Sequence, residues 1–212
     1  MRLTILFDNQ SWAQGLKSSW GFSCLLETSQ RNILFDTGSD GELLLTNMRK
    51  LGIDPRTIDM VFISHAHWDH TGGLYMLLQI QKVPVVIPAS MSLSQPIPGV
   101  ITVTNSTELY PGIYSTGELG GIEQSLLVET GSGLLAVVGC SHPGVGNILK
   151  KASEYGKVKY LVGGLHGFNE FRLLRELELI CPVHCTQFRE EIRLEYPERY
   201  VSGGVGKILK FK

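Results

Sequence analysis

Ser64-His65-Ala66-His67-Trp68-Asp69-His70-Thr71-Gly72-Gly73-Leu74 places three histidines and a carboxylate within six residues, directly after the apolar run Met60-Val61-Phe62-Ile63. The apolar run reads as a strand, and the histidine-rich stretch reads as its end turning into a helix. His65 and His67 stand two apart, so they can point the same way, while Asp69 and His70 enter the turn and can face a neighbouring position. One short loop can thereby feed ligands to two adjacent metal ions. Neutral imidazole and carboxylate suit zinc, iron or manganese, and three or four protein ligands leave room for a water whose pKa falls toward about 7. The bland alternative, a polar loop with histidines clustered by chance, fits this density poorly.

On either side of the loop, short β-branched and aromatic stretches bounded by Gly, Pro, Asn or Asp predict strands at 3–7, 21–27, 32–35, 60–63, 83–87, 99–103, 124–129, 134–139, 159–162 and 208–211. Helical spacing replaces alternation at Leu44, Met48 and Leu51, at Leu74, Leu77, Leu78 and Gln81, at Ile148, Ala152 and Tyr155, and at Phe171, Leu174 and Leu177. A weaker helix is expected around Phe188, Ile192 and Glu195. Strand-rich and mixed regions succeed each other twice, without the strict alternation of a doubly wound sheet or a TIM barrel. Two sheets packed face to face with helices outside them accommodate that order.

The chain has 212 residues, 43% hydrophobic and 18% charged, enough for a core of its own, and its composition is neither disordered nor fibrous. No linker, repeat or low-complexity tract divides it, so a single domain over 1–212 is expected. A net charge of −1 removes the footprint of a nucleic-acid binder, and no nucleic-acid partner is expected. The longest apolar runs, such as 133–140, fall far short of the roughly 18 residues that span a bilayer, so no membrane partner is expected either. An acid ends the opening apolar residues at Asp8 and no cleavage site comes after it, which reads as a first strand and a cytoplasmic protein. The four scattered cysteines, Cys24, Cys140, Cys181 and Cys185, are expected as thiols, the last two as packing residues before a separate zinc or disulfide.

The run His65-Ala66-His67-Trp68-Asp69-His70 resembles the H-x-H-x-D-H signature of the metallo-β-lactamase superfamily, and Ile33-Leu34-Phe35-Asp36-Thr37-Gly38 resembles the strand and turn that accompany it there. The resemblance implies a four-layer αββα sandwich of two mixed β-sheets with a dinuclear metal site at one edge. It also implies that Asp36 steadies a metal ligand from behind, against the plainer reading of a turn residue before Gly38. The other three of the six histidines each end an apolar run beside Gly, Cys or Pro. Strand ends are where such a fold gathers ligands, so His142 is the candidate to join His65 and His67, and His184 the candidate to join Asp69 and His70. His166 is open between ligand, support and substrate contact, and with Asp69 it forms the candidate catalytic pair.

Every aspartate (Asp8, Asp36, Asp40, Asp54, Asp59, Asp69) lies at or before position 69, so the second-half aspartate that usually bridges the metals in the superfamily is absent. Glu123 and the thiolate of Cys140 are the candidate bridges, water alone being the third option, since a bound cation deprotonates a thiol. Asp8-Asn9, Gly21-Phe22-Ser23, Glu123-Gln124-Ser125-Leu126, Gly139-Cys140-Ser141-His142-Pro143-Gly144, Gly163-Gly164-Leu165-His166 and His184-Cys185-Thr186 together resemble the branch named for the methanopterin-pathway condensing enzyme, which joins a dihydropterin to a ribofuranosylaminobenzene phosphate. Gln187 stands where that branch carries Gly, and the chain lacks the branch's longer middle insert.

The expected function is a metal-dependent hydrolase whose two divalent metals, zinc first and iron or manganese as alternatives, share a hydroxide that attacks an ester, lactone or phosphoester. The alternatives are the condensing reaction and a non-catalytic metal-binding protein on the same fold. Di-iron redox chemistry is disfavoured because His67 stands where such a site would carry a carboxylate. The expected partner is a small molecule that can carry a phosphate. Trp12, Trp20, Trp68 and Asn9 are candidate pocket residues, core packing being the plainer reading for each tryptophan. Nothing in the pattern speaks to oligomeric state.

Overall fold

The computed structural model describes residues 1–212. In chain order its strands are β1 (Arg2–Phe7), β2 (Ser23–Glu27), β3 (Asn32–Phe35), β4 (Met60–Phe62), β5 (Val85–Pro88), β6 (Val100–Val103), β7 (Asn105–Tyr110), β8 (Ile113–Gly117), β9 (Leu126–Thr130), β10 (Gly133–Val138), β11 (Val158–Gly164), β12 (Leu179–Val183) and β13 (Ile208–Lys210). The helices are α1 (Gly41–Lys50), α2 (Trp68–Thr71), α3 (Leu74–Ile80), α4 (Val145–Ala152) and α5 (Arg189–Glu195). One sheet has the order β13-β1-β2-β3-β4-β5-β6 and the other β12-β11-β10-β9-β8-β7. Both are mixed: β1 to β3 pair antiparallel and β3 to β6 parallel, while β10 to β12 pair parallel and β7 to β10 antiparallel.

Period-two alternation sorts each strand's side chains between two layers. Cys24 and Leu26 of β2, Ile33 and Phe35 of β3, and Met60 and Phe62 of β4 face the second sheet, where they meet Leu135 and Val137 of β10 in one buried cluster. Leu25, Leu34 and Val61 point the other way, onto Leu44 and Met48 of α1 and Leu74 and Leu77 of α3. Leu134, Ala136 and Val138 of β10 likewise turn outward onto Val145, Ile148 and Ala152 of α4. Helix, sheet, sheet and helix thus form the four layers, and strands covered on both faces read as continuous apolar runs.

Three strands have no counterpart among the sequence expectations. β7 is the polar segment Asn105-Ser106-Thr107-Glu108-Leu109-Tyr110, tolerated because it closes one edge of its sheet, and its partner β8 buries Ser115 and Thr116. β12 contains Pro182, which cannot donate to a ladder and is accommodated because β12 is also an edge strand. The helix expected through Phe171, Leu174 and Leu177 is instead a single 3-10 turn, Phe171–Leu174; Leu174 and Leu177 are still buried, so apolar spacing alone overstates its length.

Candidate metal centre

Six chain segments leave the sandwich at one edge, just beyond the carboxyl ends of β1, β3, β4, β10, β11 and β12. They carry Asp8-Asn9, Asp36, Ser64 to His70, Gly139 to His142, His166 and His184 respectively. Gln124 ties the two sheets together beneath this edge: its N–H donates to the Ser64 carbonyl at 2.9 Å and its side-chain amide to the Ile63 carbonyl at 2.9 Å.

Two sets of imidazoles face each other there. His65 Nε2 lies 3.0 Å from His67 Nδ1, and the His142 ring packs 4.7 Å from the His65 ring and 4.8 Å from the His67 ring. The His70 ring packs 5.0 Å from the His184 ring, and Asp69 Oδ2 lies 3.3 Å from His184 Nε2 and 3.9 Å from His70 Nε2. The sets adjoin, with the His65 and His70 rings 4.2 Å apart. Cys140 belongs to both: ligand atoms of His65, Cys140 and His142 lie within 4.8 Å of one another, and so do those of His70, Cys140 and His184. Its Sγ is 3.3 Å from His70 Nε2.

The outward nitrogens fix how the rings present themselves. Ser64 Oγ donates to Asp36 Oδ2 at 2.7 Å and so accepts from His65 Nδ1 at 2.9 Å, while Asp36 Oδ2 accepts from His70 Nδ1 at 2.6 Å. Glu123 Oε2 accepts from His142 Nδ1 at 2.9 Å, and Asn9 Oδ1 from His184 Nδ1 at 3.0 Å. In this tautomer four rings donate through Nδ1 and turn the Nε2 lone pair inward. The buried His184 Nε2 has no aligned hydrogen-bond partner, and the lone pairs of His65 and His67 converge at 3.0 Å. Such an arrangement is satisfied by a cation. Burial, reinforced by the neighbouring imidazoles, pushes His65 and His70 down to about 3, so both rings stay neutral and able to ligate.

Acids behind the rings are tuned by the same competition. Burial pushes Asp36 up to about 7 against the opposing pulls of His65 and Ser64. For Glu123 burial is overcome by the His142 ring and the backbone donors, which bring it to about 2. Glu123 Oε1 accepts the N–H groups of Gly139, Cys140 and Ser141, and Oε2 accepts that of His142. Both oxygens are therefore occupied, and Glu123, a candidate bridge or supporting acid from sequence, clamps the His142 loop. Asp69 is pushed up by burial but held well below the ordinary carboxylate range by His184 and His70.

The four non-glycine residues with left-handed backbones are Asp36 (φ 52°), Ser141 (φ 61°), His166 (φ 46°) and His184 (φ 50°), all at this edge. Strain of that kind persists only where surroundings over-determine it. At His184 the restraint is explicit: its N–H donates to Asp8 Oδ1 at 2.7 Å, and its carbonyl accepts from Asn9 Nδ2 at 3.0 Å and Arg189 Nη2 at 2.7 Å. Gly139 is obligatory for closeness, since a Cβ there would stand 2.2 Å from Ser64 Oγ.

His166 joins neither set. Its ring lies 5.3 Å from that of His142 and lines a cleft of about 560 Å³ with Ser141, Asn147 and Asn169. The core reading of the tryptophans is corrected: Trp12, Trp20 and Trp68 are 52%, 52% and 64% exposed. Asn9 holds the His184 ring through Oδ1. Sequence reasoning finds no role for Ser64, Asp8 or Arg189, although Asp8 shares with the histidines the signal of a polar residue at an apolar strand's end.

Residues 21–143 match the family model for the metallo-beta-lactamase superfamily. The chain is 29% identical to the 7,8-dihydropterin-6-methyl-4-(beta-D-ribofuranosyl)-aminobenzene-5'-phosphate synthase of Methanocaldococcus jannaschii, with 98% of this chain and 95% of the relative covered. That alignment runs over 280 positions against 212 residues here, so the relative carries segments this chain lacks. A crystal structure described as a metal-dependent hydrolase of the beta-lactamase superfamily superposes with a TM-score of 0.80 at 28% identity, covering 99% of this chain and 98% of that one. Human tRNase Z, short form, shares the fold at a TM-score of 0.68 and 16% identity, with all of both chains covered.

Proposed function

The chain belongs to the metallo-beta-lactamase superfamily, and from that premise we propose that it is a metal-dependent hydrolase of esters, lactones or phosphoesters with a two-cation centre. His65, His67 and His142 hold the first cation, and Asp69, His70 and His184 the second. The single observation that carries this reading is Cys140, whose sulfur lies within 4.8 Å of imidazole nitrogens in both sets. Cys140 would stand in for the absent second-half aspartate as a ligand shared by the two sets, and a bound cation would favour its thiolate form. Zinc suits a set of imidazole, carboxylate and thiolate best.

Two divalent cations so placed supply Lewis acidity that makes water a nucleophile near neutral pH and offsets charge growing on the substrate oxygens. Asp69 Oδ2, already turned toward the space between His70 and His184, accepts a hydrogen bond from the attacking water and orients it. His166, free of both sets and on the cleft wall, delivers a proton to the departing oxygen. Asp36, Glu123 and Asn9 keep the ring tautomers fixed throughout.

Similarity to the synthase supports a second reading, in which the same centre holds a phosphorylated leaving group and a nucleophile other than water attacks. Turnover in ¹⁸O-water separates the two. Hydrolysis places one ¹⁸O in the product acid; condensation places none. Elemental analysis of protein purified without chelator should give about two zinc per chain, and Cys140→Ser about one. Two cations in Cys140→Ser, with wild-type affinity, would remove the thiolate bridge.

A further inference from the structure

We infer that Trp20 and Trp68 form the specificity surface of this centre and take a planar aromatic portion of the substrate, an inference that rests on the two-cation hydrolytic reading above. Tryptophan seldom leaves this much apolar area in water, and side chains of this size dominate recognition where they are exposed. Trp20 sits edge-on to the His184 ring, centroids 5.1 Å apart at 61°, and remains 52% exposed. Trp68 stands in the chain between His67 and Asp69 and is 64% exposed.

Their backbones are fixed around one residue. The Phe22 N–H donates to the Asp69 carbonyl at 3.2 Å, and Gly21 approaches that carbonyl so closely that a Cβ would stand 2.5 Å from it. The Gly21 N–H donates to Asn9 Oδ1 at 3.1 Å, the same oxygen that receives His184 Nδ1. Trp68 opens α2, with its carbonyl accepting the Gly72 N–H at 2.9 Å. The Trp20 indole is thus presented beside the second imidazole set, and the Trp68 backbone is held next to Asp69 in the same rigid frame, which lowers the entropy lost on binding. Trp12 is different: Lys207 Nζ lies over its ring at 3.6 Å, so one face is already taken.

The flank beside the first set has another chemistry. His142, His166, Asn147 and Asn169 give the cleft beside the first set a polar lining. A substrate bound across the centre therefore places its aromatic portion toward Trp20 and Trp68 and its polar portion toward His166, with the scissile bond between them.

The test measures binding of 2-naphthylphosphonate and methylphosphonate to zinc-loaded protein, by calorimetry and by quenching of tryptophan fluorescence. The naphthyl compound should bind roughly tenfold more tightly, the size expected of one or two stacking contacts. Trp20→Leu and Trp68→Leu, which keep an apolar surface without a stacking face, should each lower that ratio, and the double variant should bring it to about one. Trp12→Leu should leave the ratio as it is. Equal affinities in the parent protein, or a ratio that survives the double variant, would overturn the inference alone. Failure of both phosphonates to bind protein shown to hold two zinc ions would overturn the phosphoester reading and this inference with it.

Discussion

Replacing Glu123 by Gln tests whether ring orientation, and not only ligand identity, builds the centre. The substitution keeps size and shape, so it opens no cavity, yet it alters the acceptor of five donors, three buried and two partly buried. Oε1 can still accept from Gly139, Cys140 and Ser141, but the new amide group faces the His142 N–H and the His142 Nδ1–H, both donors. Leaving a buried donor unsatisfied costs about 1–3 kcal/mol each. Two such donors put the loss at about 3 kcal/mol. For a chain of this length that lowers Tm by about 6–12 °C. The ring can escape the clash by moving its proton to Nε2, but the inward nitrogen then carries a hydrogen and cannot ligate. Cation affinity at the first set should fall by about 10–100-fold. Scanning calorimetry with elemental analysis of one preparation reads both effects. Glu123→Gln that melts with the parent and retains two zinc ions at the parent's affinity would refute the orientation argument.

His67→Ala removes one inward lone pair of the first set, and bound metal should drop to about one equivalent with a loss of hydrolytic rate of several orders of magnitude; two equivalents with full activity would end the two-cation reading. His166→Ala should keep its metal while kcat falls by about 10²–10⁴ for substrates with poor leaving groups and far less for an activated p-nitrophenyl ester; metal loss would make His166 a ligand instead. In chelator-treated protein, His65 and His70 titrate near 3 against an ordinary 6.5, so the folded state binds fewer protons than the unfolded one between those values and loses stability as pH falls through that window. Asp36, raised from 3.8 to about 7, works oppositely, its stabilisation fading as pH rises through about 7. Two imidazoles outweigh one carboxyl, and the urea midpoint should be lower at pH 4.5 than at pH 7; a flat or inverted profile would refute this.

Strands buried on both faces are readable from sequence because each is a continuous apolar run: the expectation for 32–35 and the strand β3, Asn32–Phe35, coincide to the residue. Edge strands escape, because their sequences answer to solvent as much as to a core. β7 is polar and β12 carries a proline, and only pairing on one side makes either a strand. The site divides along a similar line. His65 to His70 announce themselves by density, and His142 and His184 by their place at strand ends. Asn9 and Asp8 reach His184 across 175 and 176 residues of chain. No local pattern encodes that distance; it comes from β1 and β12 ending at the same edge.

The aspartate count exposes a gap in the ligand set, and the fold separates the two candidates by their surroundings. Glu123 and Cys140 differ in reach: the acid is consumed by the loop 139–142 that it clamps, whereas the thiol on that loop projects between the imidazole sets. The two residues are linked, because the Cys140 N–H is one of the donors Glu123 accepts at 3.0 Å. A glutamate held charged at the back of the loop positions the thiol at its front. Glu123→Gln should therefore disturb the second cation as well, by less than the first, since His70 is held by Asp36 and His184 by Asn9 and Asp8 instead. Sequential zinc titration of that variant, resolving two affinities, should show the first lowered strongly and the second weakly. Equal losses at both would mean that the loop moves as one body and that Cys140, not the His142 tautomer, governs occupancy.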